Sequence, residues 1–199
     1  ASVERYLPDM LQVRVAERVP MAQIWAWQRD GAGETDYDCV RLQLDETGHV
    51  MTPIDGHSVV APEDQAEWSL PVVSGINLGK LKTLAPGRPA GLPKLRAALG
   101  LIGEFRRSPL SGTVDLRVID LSQPRILRVT TGDGGQVDLS TERLPRQLNR
   151  WAGIQAHGQK FGLAIETVDL SVTNNVPVRW MLSPTLAEDL RSGRKVARK

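Results

Sequence analysis

Apolar and polar residues alternate at the start of the chain with the period of a β-strand. Leu11, Val13 and Val15 alternate with polar or small residues, and Pro8 and Pro20 stand on either side of this stretch. Such alternation is typical of a strand with one buried face, and the flanking prolines mark where it can begin and end. We predict a strand at 11–16. Since no partner strand is evident before it, we expect the chain to begin partway through a longer protein.

The same period recurs in short segments along the chain, separated by turn signals. Asp45-Glu46-Thr47-Gly48 and Gly132-Asp133-Gly134-Gly135 are typical of hairpin turns. The predicted strands are Leu11–Ala16, Met21–Trp27, Cys39–Leu44, Val50–Met51, Val114–Ile119, Ile126–Thr130, Gln136–Leu139, Ala164–Val172 and Val176–Met181.

Two segments instead repeat apolar residues every three or four positions, which predicts amphipathic helices. The first carries Leu92, Leu95, Leu99, Ile102 and Phe105, begins near Gly91 and Pro93, and ends before Ser108-Pro109. The second carries Leu144, Leu148, Trp151 and Ile154, with Ser140 or Thr141 as the expected N-cap and Gly158 near the end.

The order of these elements predicts an α+β fold, with a mostly antiparallel sheet and two amphipathic helices packed on it. Residues 54–90 are rich in Pro and Gly and contain Leu-Pro-Val-Val-Ser-Gly at 70–75. We expect this stretch to cross the sheet as an irregular connection.

The composition is that of a folded globular domain. The 199 residues are 41% hydrophobic and 24% charged. No apolar run approaches the roughly 18 residues that a transmembrane helix needs. Because the first residue is Ala, we expect that a membrane anchor of the full protein would lie outside this sequence.

The positive charge is concentrated at the C-terminus. Residues 191–199 hold five of the 25 Lys and Arg and no acid, so the rest of the chain carries 20 basic and 23 acidic residues. Such a tail is either a solvated end or a site for peptidoglycan or another acidic polymer. An envelope domain that binds such a polymer is therefore an alternative function, and deleting residues 191–199 would abolish binding in that case.

No catalytic constellation is evident, and we predict no catalytic residue, no metal site and no cofactor. His49, His57 and His157 lack ligand spacing, and Cys39 is a lone cysteine in an alternating segment. Residues 192–195 match S-x-x-K but lie in the basic tail. A hydrolase with two carboxylates assembled in space remains a third alternative, which a cleft holding two acids about 5–10 Å apart would favour.

Two motifs resemble one known family. Residues 8–22 follow the pattern P-D-x-L-x-V-x-V-x-E-R-x-P-x-A, and residues 165–180 resemble a closing hairpin with Val-Asp-Leu, a polar turn and a final Trp. Both are similar to the bacterial division proteins FtsQ and DivIB, at the exit from the POTRA domain and at the end of the β domain. The Leu-Pro-x-x-Ser-Gly at 70–75 and the Asp45/Gly48 hairpin fit the same order. The resemblance covers roughly residues 5–182.

The resemblance implies a domain division and a function. Residues 1–20 would be a POTRA remnant and junction strand, 21–182 the β domain, and 183–199 a flexible basic tail. Such proteins are non-enzymatic scaffolds of the divisome, single-pass in the cytoplasmic membrane, whose β domain lies outside the cytoplasm. It binds FtsB/FtsL-like (DivIC-like) coiled-coil partners, largely through its last strand.

The residues of the last predicted strand give a physical reason for such a site. Pro177 has no N–H to donate to a ladder, so 176–181 should be an edge strand or end in a bulge. An edge exposes backbone groups to which a partner can add a strand, and Trp180 would serve as an anchor there or else pack inward. The predicted partner-binding residues are Val172, Asn174, Asn175, Val176, Val178 and Trp180. Ser171, Val172 and Asn175 replace the family's usual Arg, aromatic residue and Gly, which implies a different contact chemistry.

Overall fold

The computed structural model describes residues 2–6, 10–14, 18–29, 37–51, 70–81 and 84–183. The strands are β1 Ser2–Tyr6, β2 Met10–Arg14, β3 Pro20–Arg29, β4 Tyr37–Asp45, β5 Val50–Met51, β6 Val72–Ser74, β7 Leu116–Asp120, β8 Ile126–Thr131, β9 Gln136–Ser140, β10 Leu163–Asp169 and β11 Val178–Leu182. The helices are α1 Leu78–Leu81, α2 Pro93–Arg106 and α3 Leu144–Lys160. The basic tail lies outside these residues, as does His57.

Nine strands form one sheet in the order β11-β10-β9-β8-β7-β6-β3-β4-β5. Five neighbouring pairs are antiparallel, and three are parallel, namely β3–β6, β6–β7 and β9–β10. The predicted α+β class with a mostly antiparallel sheet is confirmed, and both predicted hairpin turns connect neighbouring strands.

The first predicted strand, which is β2 in the structure, has a partner strand. β2 pairs antiparallel with β1 from Ser2↔Arg14 to Tyr6↔Met10, in a separate two-stranded sheet. The expectation of a missing partner strand is therefore wrong, because residues 2–6 supply one. The predicted domain boundaries remain predictions.

The stretch at 70–75 is not an irregular crossover. Val72–Ser74 is β6, which lies in the middle of the sheet and runs parallel to both neighbours, β3 and β7. Val73 is 2% exposed and belongs to the core. The sequence pattern missed it because a three-residue central strand has no room to show a period.

Both amphipathic helices pack on one face of the sheet, as predicted. The buried faces of α2 and α3 join a single cluster with the core-facing residues of the strands, and Phe105 of α2 lies against Trp151 of α3 with ring centroids 5.9 Å apart. The opposite, open face of β7, β8 and β9 carries exposed or half-buried residues such as Arg117, Thr130 and Gln136.

The start of α3 differs from the prediction. Neither Ser140 nor Thr141 caps the helix: Arg143 holds the N-cap position with φ of +52°, and no side chain caps it. The amide of Gln147, 5% exposed, instead binds the connection. Its oxygen accepts from the Ser140 N–H at 2.9 Å, and its nitrogen donates to Ser140 Oγ at 2.9 Å and to the Glu142 carbonyl at 2.6 Å. The buried Gln147 side chain thus forms hydrogen bonds with backbone groups of the connection before α3, in place of an N-cap side chain.

Asp45 organises the β4–β5 turn and the entry to β3. Its side chain is 5% exposed and accepts hydrogen bonds from the backbone N–H groups of Thr47 (2.9 Å) and His49 (2.8 Å), the Thr47 hydroxyl (2.7 Å) and the Arg18 guanidinium. Burial acts to raise the pKa of Asp45, but these donors outweigh it and lower the pKa to about 2.

We expect Asp45 to stabilise the fold in a pH-dependent way. Because its folded pKa lies below the model value of 3.8, its contribution of about 2 kcal/mol is present above that value and is lost as the pH falls from about 5 to about 2. Asp45→Asn should lower the free energy of unfolding at pH 7 and flatten this part of the profile, measured by urea unfolding at several pH values. Glu46→Gln, an exposed residue of the same turn, controls for the lost charge. Parallel acid profiles for Asp45→Asn and the wild type would contradict this assignment.

Candidate partner-binding edge

β11 lies at one end of the nine-stranded sheet, and within the described part of the chain it pairs only with β10. The predicted edge strand is confirmed, although it spans Val178–Leu182 rather than 176–181. Pro177 lies just before β11. It has no N–H to donate, and its carbonyl accepts a hydrogen bond from β10.

The backbone of β11 faces outward at alternate residues. The Asp169 N–H donates to the Pro177 carbonyl at 3.3 Å, and the Ser183 N–H donates to the Gly162 carbonyl at 3.1 Å. In an antiparallel ladder, residues that bond to the partner strand alternate with residues that face away from it. Val178, Trp180 and Leu182 therefore direct their N–H and C=O groups away from β10, as a template for another strand.

The side chains of β11 alternate between the two faces of the sheet. Val178 and Trp180 are half-buried and pack against the core on the helix side. Arg179, paired with Thr167 across the ladder, is exposed on the open face. One strand therefore offers an apolar and a basic side.

The Trp180 side chain packs against the C-terminal end of α3 at Gly158. A Cβ atom on Gly158 would overlap the Trp180 indole and would lie 2.9 Å from the Leu163 carbonyl oxygen. The His157 ring lies 6.4 Å from the indole, between centroids. The helix and β11 thus approach closely because residue 158 has no side chain.

The connection between β10 and β11 runs over residues 170–177 and is longer than the predicted one, which spans 173–175. Asn175 has a positive φ of +50°. Asp169 accepts from the Ser171 N–H and hydroxyl at 2.9 and 2.6 Å. Arg150 of α3 donates to the carbonyls of Val172 and Thr173 at 2.9 and 3.1 Å. Side chains of neighbouring elements therefore hold this loop in place.

The predicted site residues fall into two groups. Val178 and Trp180 lie in β11 itself, and Val176 packs against the core just before it. Val172, Asn174 and Asn175 lie in the connection, where Val172 is half-buried and both asparagines are exposed.

The sequence did not predict three features near this edge. Arg150 binds the loop before β11, Gly158 leaves space for the Trp180 indole, and Arg179 is an exposed charge on the edge strand. The sequence indicated Gly158 only as a residue near the end of α3, because it does not show that Trp180 packs against this glycine.

Three aspartates, Asp120, Asp138 and Asp169, lie on the open face, and each accepts hydrogen bonds from neighbouring residues. Arg128 binds Asp138 through two hydrogen bonds of 2.8 Å, and this pairing, helped by Asp120 and Asp169, raises the pKa of the arginine. Both Asp138 oxygens accept from Arg128, while Asp120 and Asp169 each bind a serine two residues on. The row is a cross-strand ion-pair network on a sheet face.

In the described residues, no group of three or more His, Cys, Asp or Glu is placed to hold a metal ion. None of the described helices is long and apolar enough to cross a membrane.

The described residues thus form an α+β domain with a polar open face and an edge strand. Residues 37–171, more than half of the chain, match the family described as "Cell division protein FtsQ/DivIB, C-terminal". The chain belongs to this family, whose members are non-enzymatic, membrane-anchored division proteins with a scaffold role. None of the curated proteins matches the chain. The family match ends at Ser171, in the connection before β11, so the edge strand itself is interpreted from its geometry.

We expect the Gly158–Trp180 contact to stabilise β11. Gly158→Ala should lower the free energy of unfolding by about 1–3 kcal/mol, because the added methyl group displaces Trp180 or the helix end. Gly153→Ala in the same helix meets nothing within 4 Å and should raise stability by about 0.5–1 kcal/mol. Thermal and urea unfolding of both variants measures the difference, and equal effects at the two positions would contradict the close approach.

Proposed function

We propose that this chain is the extracytoplasmic part of a single-pass cytoplasmic-membrane protein, and that it binds FtsB/FtsL-like (DivIC-like) coiled-coil partners at the division septum. The partner adds a strand to β11, and the predicted site residues Val172, Asn174, Asn175, Val176, Val178 and Trp180 form the surface that receives it.

The observation that carries this proposal is the outward backbone of Val178, Trp180 and Leu182. Three successive outward positions are a ladder to which an extended segment can add. Each hydrogen bond formed there contributes about 0.5–1.5 kcal/mol net, so the backbone gives affinity while the side chains give selectivity.

The order of the neighbouring loop supports the same proposal. Arg150 and Asp169 fix the chain just before β11, and Trp180 seats the strand against α3. An edge that is already ordered costs less conformational entropy on binding than a loop that must first become a strand.

The membership of the family supports a division complex as the context. Within that context, an open sheet edge is the feature of the described residues that fits an extended segment of a protein partner.

The strand-addition proposal is tested by Val178→Pro. Proline removes the outward N–H of Val178 without removing a hydrogen bond to β10, so β11 stays in the sheet. We expect the affinity for the extracytoplasmic segment of the FtsB-like protein of the same organism to fall at least tenfold, measured by calorimetry.

Val178→Ala is the matched control, since it keeps the N–H and removes only part of the side chain. It should change affinity by a few-fold at most. Equal binding by Val178→Pro and Val178→Ala, with melting curves showing both folded, would contradict strand addition. Absence of binding by the folded wild type would contradict the proposed function as a whole, and deletion of residues 191–199 with a peptidoglycan pull-down would then test the basic tail.

A further inference from the structure

Two features in and near β11 are not needed for backbone pairing with an added strand. One is Arg179 on the open face, and the other is a pair of exposed apolar side chains, Phe161 and Leu182, at the far end of the strand. Each would meet a different side of any segment that adds to this edge.

Arg179 forms no ion pair with a described carboxylate, although Asp138 and Asp169 line the same groove of the open face. Two further arginines of the open face are paired: Arg117 binds Asp115, and Arg128 binds Asp138 through both Nε and Nη2. Arg179 lies opposite the neutral Thr167, and no described carboxylate lies within 4 Å of it. A residue directly across from it on an added strand would lie at the distance at which opposite charges stabilise a cross-strand pair.

The helix side of the same edge is apolar. Leu182 is 50% exposed and lies on the same face as Val178 and Trp180, because side chains alternate along a strand. Phe161 follows the last turn of α3, is 63% exposed, and lies 5.1 Å from the His157 ring between centroids. The turn after it is tied to β11 by the bond from Ser183 to Gly162. Two of the exposed apolar residues in the described part of the chain, Phe161 and Leu182, thus lie near one end of this edge.

We infer that the segment that adds to β11 has an alternating pattern: an acidic residue across from Arg179, flanked by apolar residues across from Val178 and Trp180, with a further apolar residue across from Leu182 that extends over Phe161. This inference rests on the proposed function and names the chemistry of its partner. Arg179 then acts as a specificity residue, and Phe161 enlarges the apolar contact.

The charges of β11 disfavour a second copy of this chain as the occupant. The strand reads Val-Arg-Trp-Met-Leu and contains no acid. In any pairing of two β11 strands, both arginines would face neutral residues or each other, and like charges across a ladder destabilise it. A different protein with an acidic residue in its strand complements this edge.

The test uses the whole chain and the extracytoplasmic segment of the FtsB-like protein of the same organism. Affinity is measured by calorimetry for wild type, Arg179→Glu and Arg96→Glu, the last being an exposed arginine on α2 away from the edge. We expect Arg179→Glu to weaken binding at least tenfold and Arg96→Glu to leave it within twofold. Each acid of the partner's strand is then changed to Lys, and one such change should restore binding to Arg179→Glu.

The apolar arm is tested in the same assay. Phe161→Ser should weaken binding about three- to tenfold. Val19→Ser, at an apolar residue that is 73% exposed just before β3, should not.

The possible failures are distinguishable. If Val178→Pro blocks binding while Arg179→Glu and Phe161→Ser bind like wild type, strand addition stands and the inferred pattern is wrong. If no acid-to-Lys change restores binding to Arg179→Glu, the charge pair is wrong. If the wild type does not bind, the proposed function fails, and the inference fails with it. A dimer of the chain in sedimentation that Val178→Pro dissociates would assign the edge to a second copy and overturn the inference.

Discussion

The close approach of α3 to β11 at Gly158 is the constraint on which the edge depends. An edge strand has one neighbour, so its position is set by that ladder and by whatever packs on its face. The missing side chain at 158 lets the indole of Trp180 lie beneath the helix end, and Arg150, two turns earlier in the same helix, binds the loop that leads into the strand. One helix therefore fixes β11 at its start and along its length, while no described strand pairs with the outward backbone groups of β11.

This arrangement balances two requirements that oppose each other. An ordered edge with free backbone groups binds a partner, but it also invites pairing between copies. Arg179 reduces the second risk, because a second β11 would bring another arginine to this edge and no acid to pair with either. Val178, Trp180 and Leu182 still direct their backbone groups outward and can accept a strand that carries an acidic residue, so the same edge can disfavour one partner and receive another.

The sequence alone predicted the parts of this fold that have a period or a chemical restriction. The helical stripe of Leu95, Leu99 and Ile102 repeats often enough to be recognised, and the edge position of β11 followed from Pro177 because proline cannot complete a ladder. The parts that were missed depend on what comes near in space. β6 is too short to show alternation, and Gly158 is notable only beside Trp180. The start of α3 is set by Gln147, five residues after the loop carbonyl that it binds, a role that no capping pattern indicates. The absence of a described ion pair at Arg179 depends on which residue lies across the ladder, here Thr167.

A bulge in β10 explains why the edge beyond it is regular. Ile165 and Val168 are each 3% exposed and belong to one core, although residues three apart on an unbroken strand point to opposite faces. The register shift between Ile165 and Thr167 resolves this conflict by leaving Glu166 unpaired and exposed on the surface. Because the extra residue lies in β10, β11 keeps its strict alternation, with Val178 and Trp180 on the helix side and Arg179 between them on the open side. If the extra residue were instead in β11, one outward backbone position would be lost and Arg179 would share a face with a neighbour. The irregularity needed to bury the core is thus confined to the inner strand, and the outer strand remains a regular template.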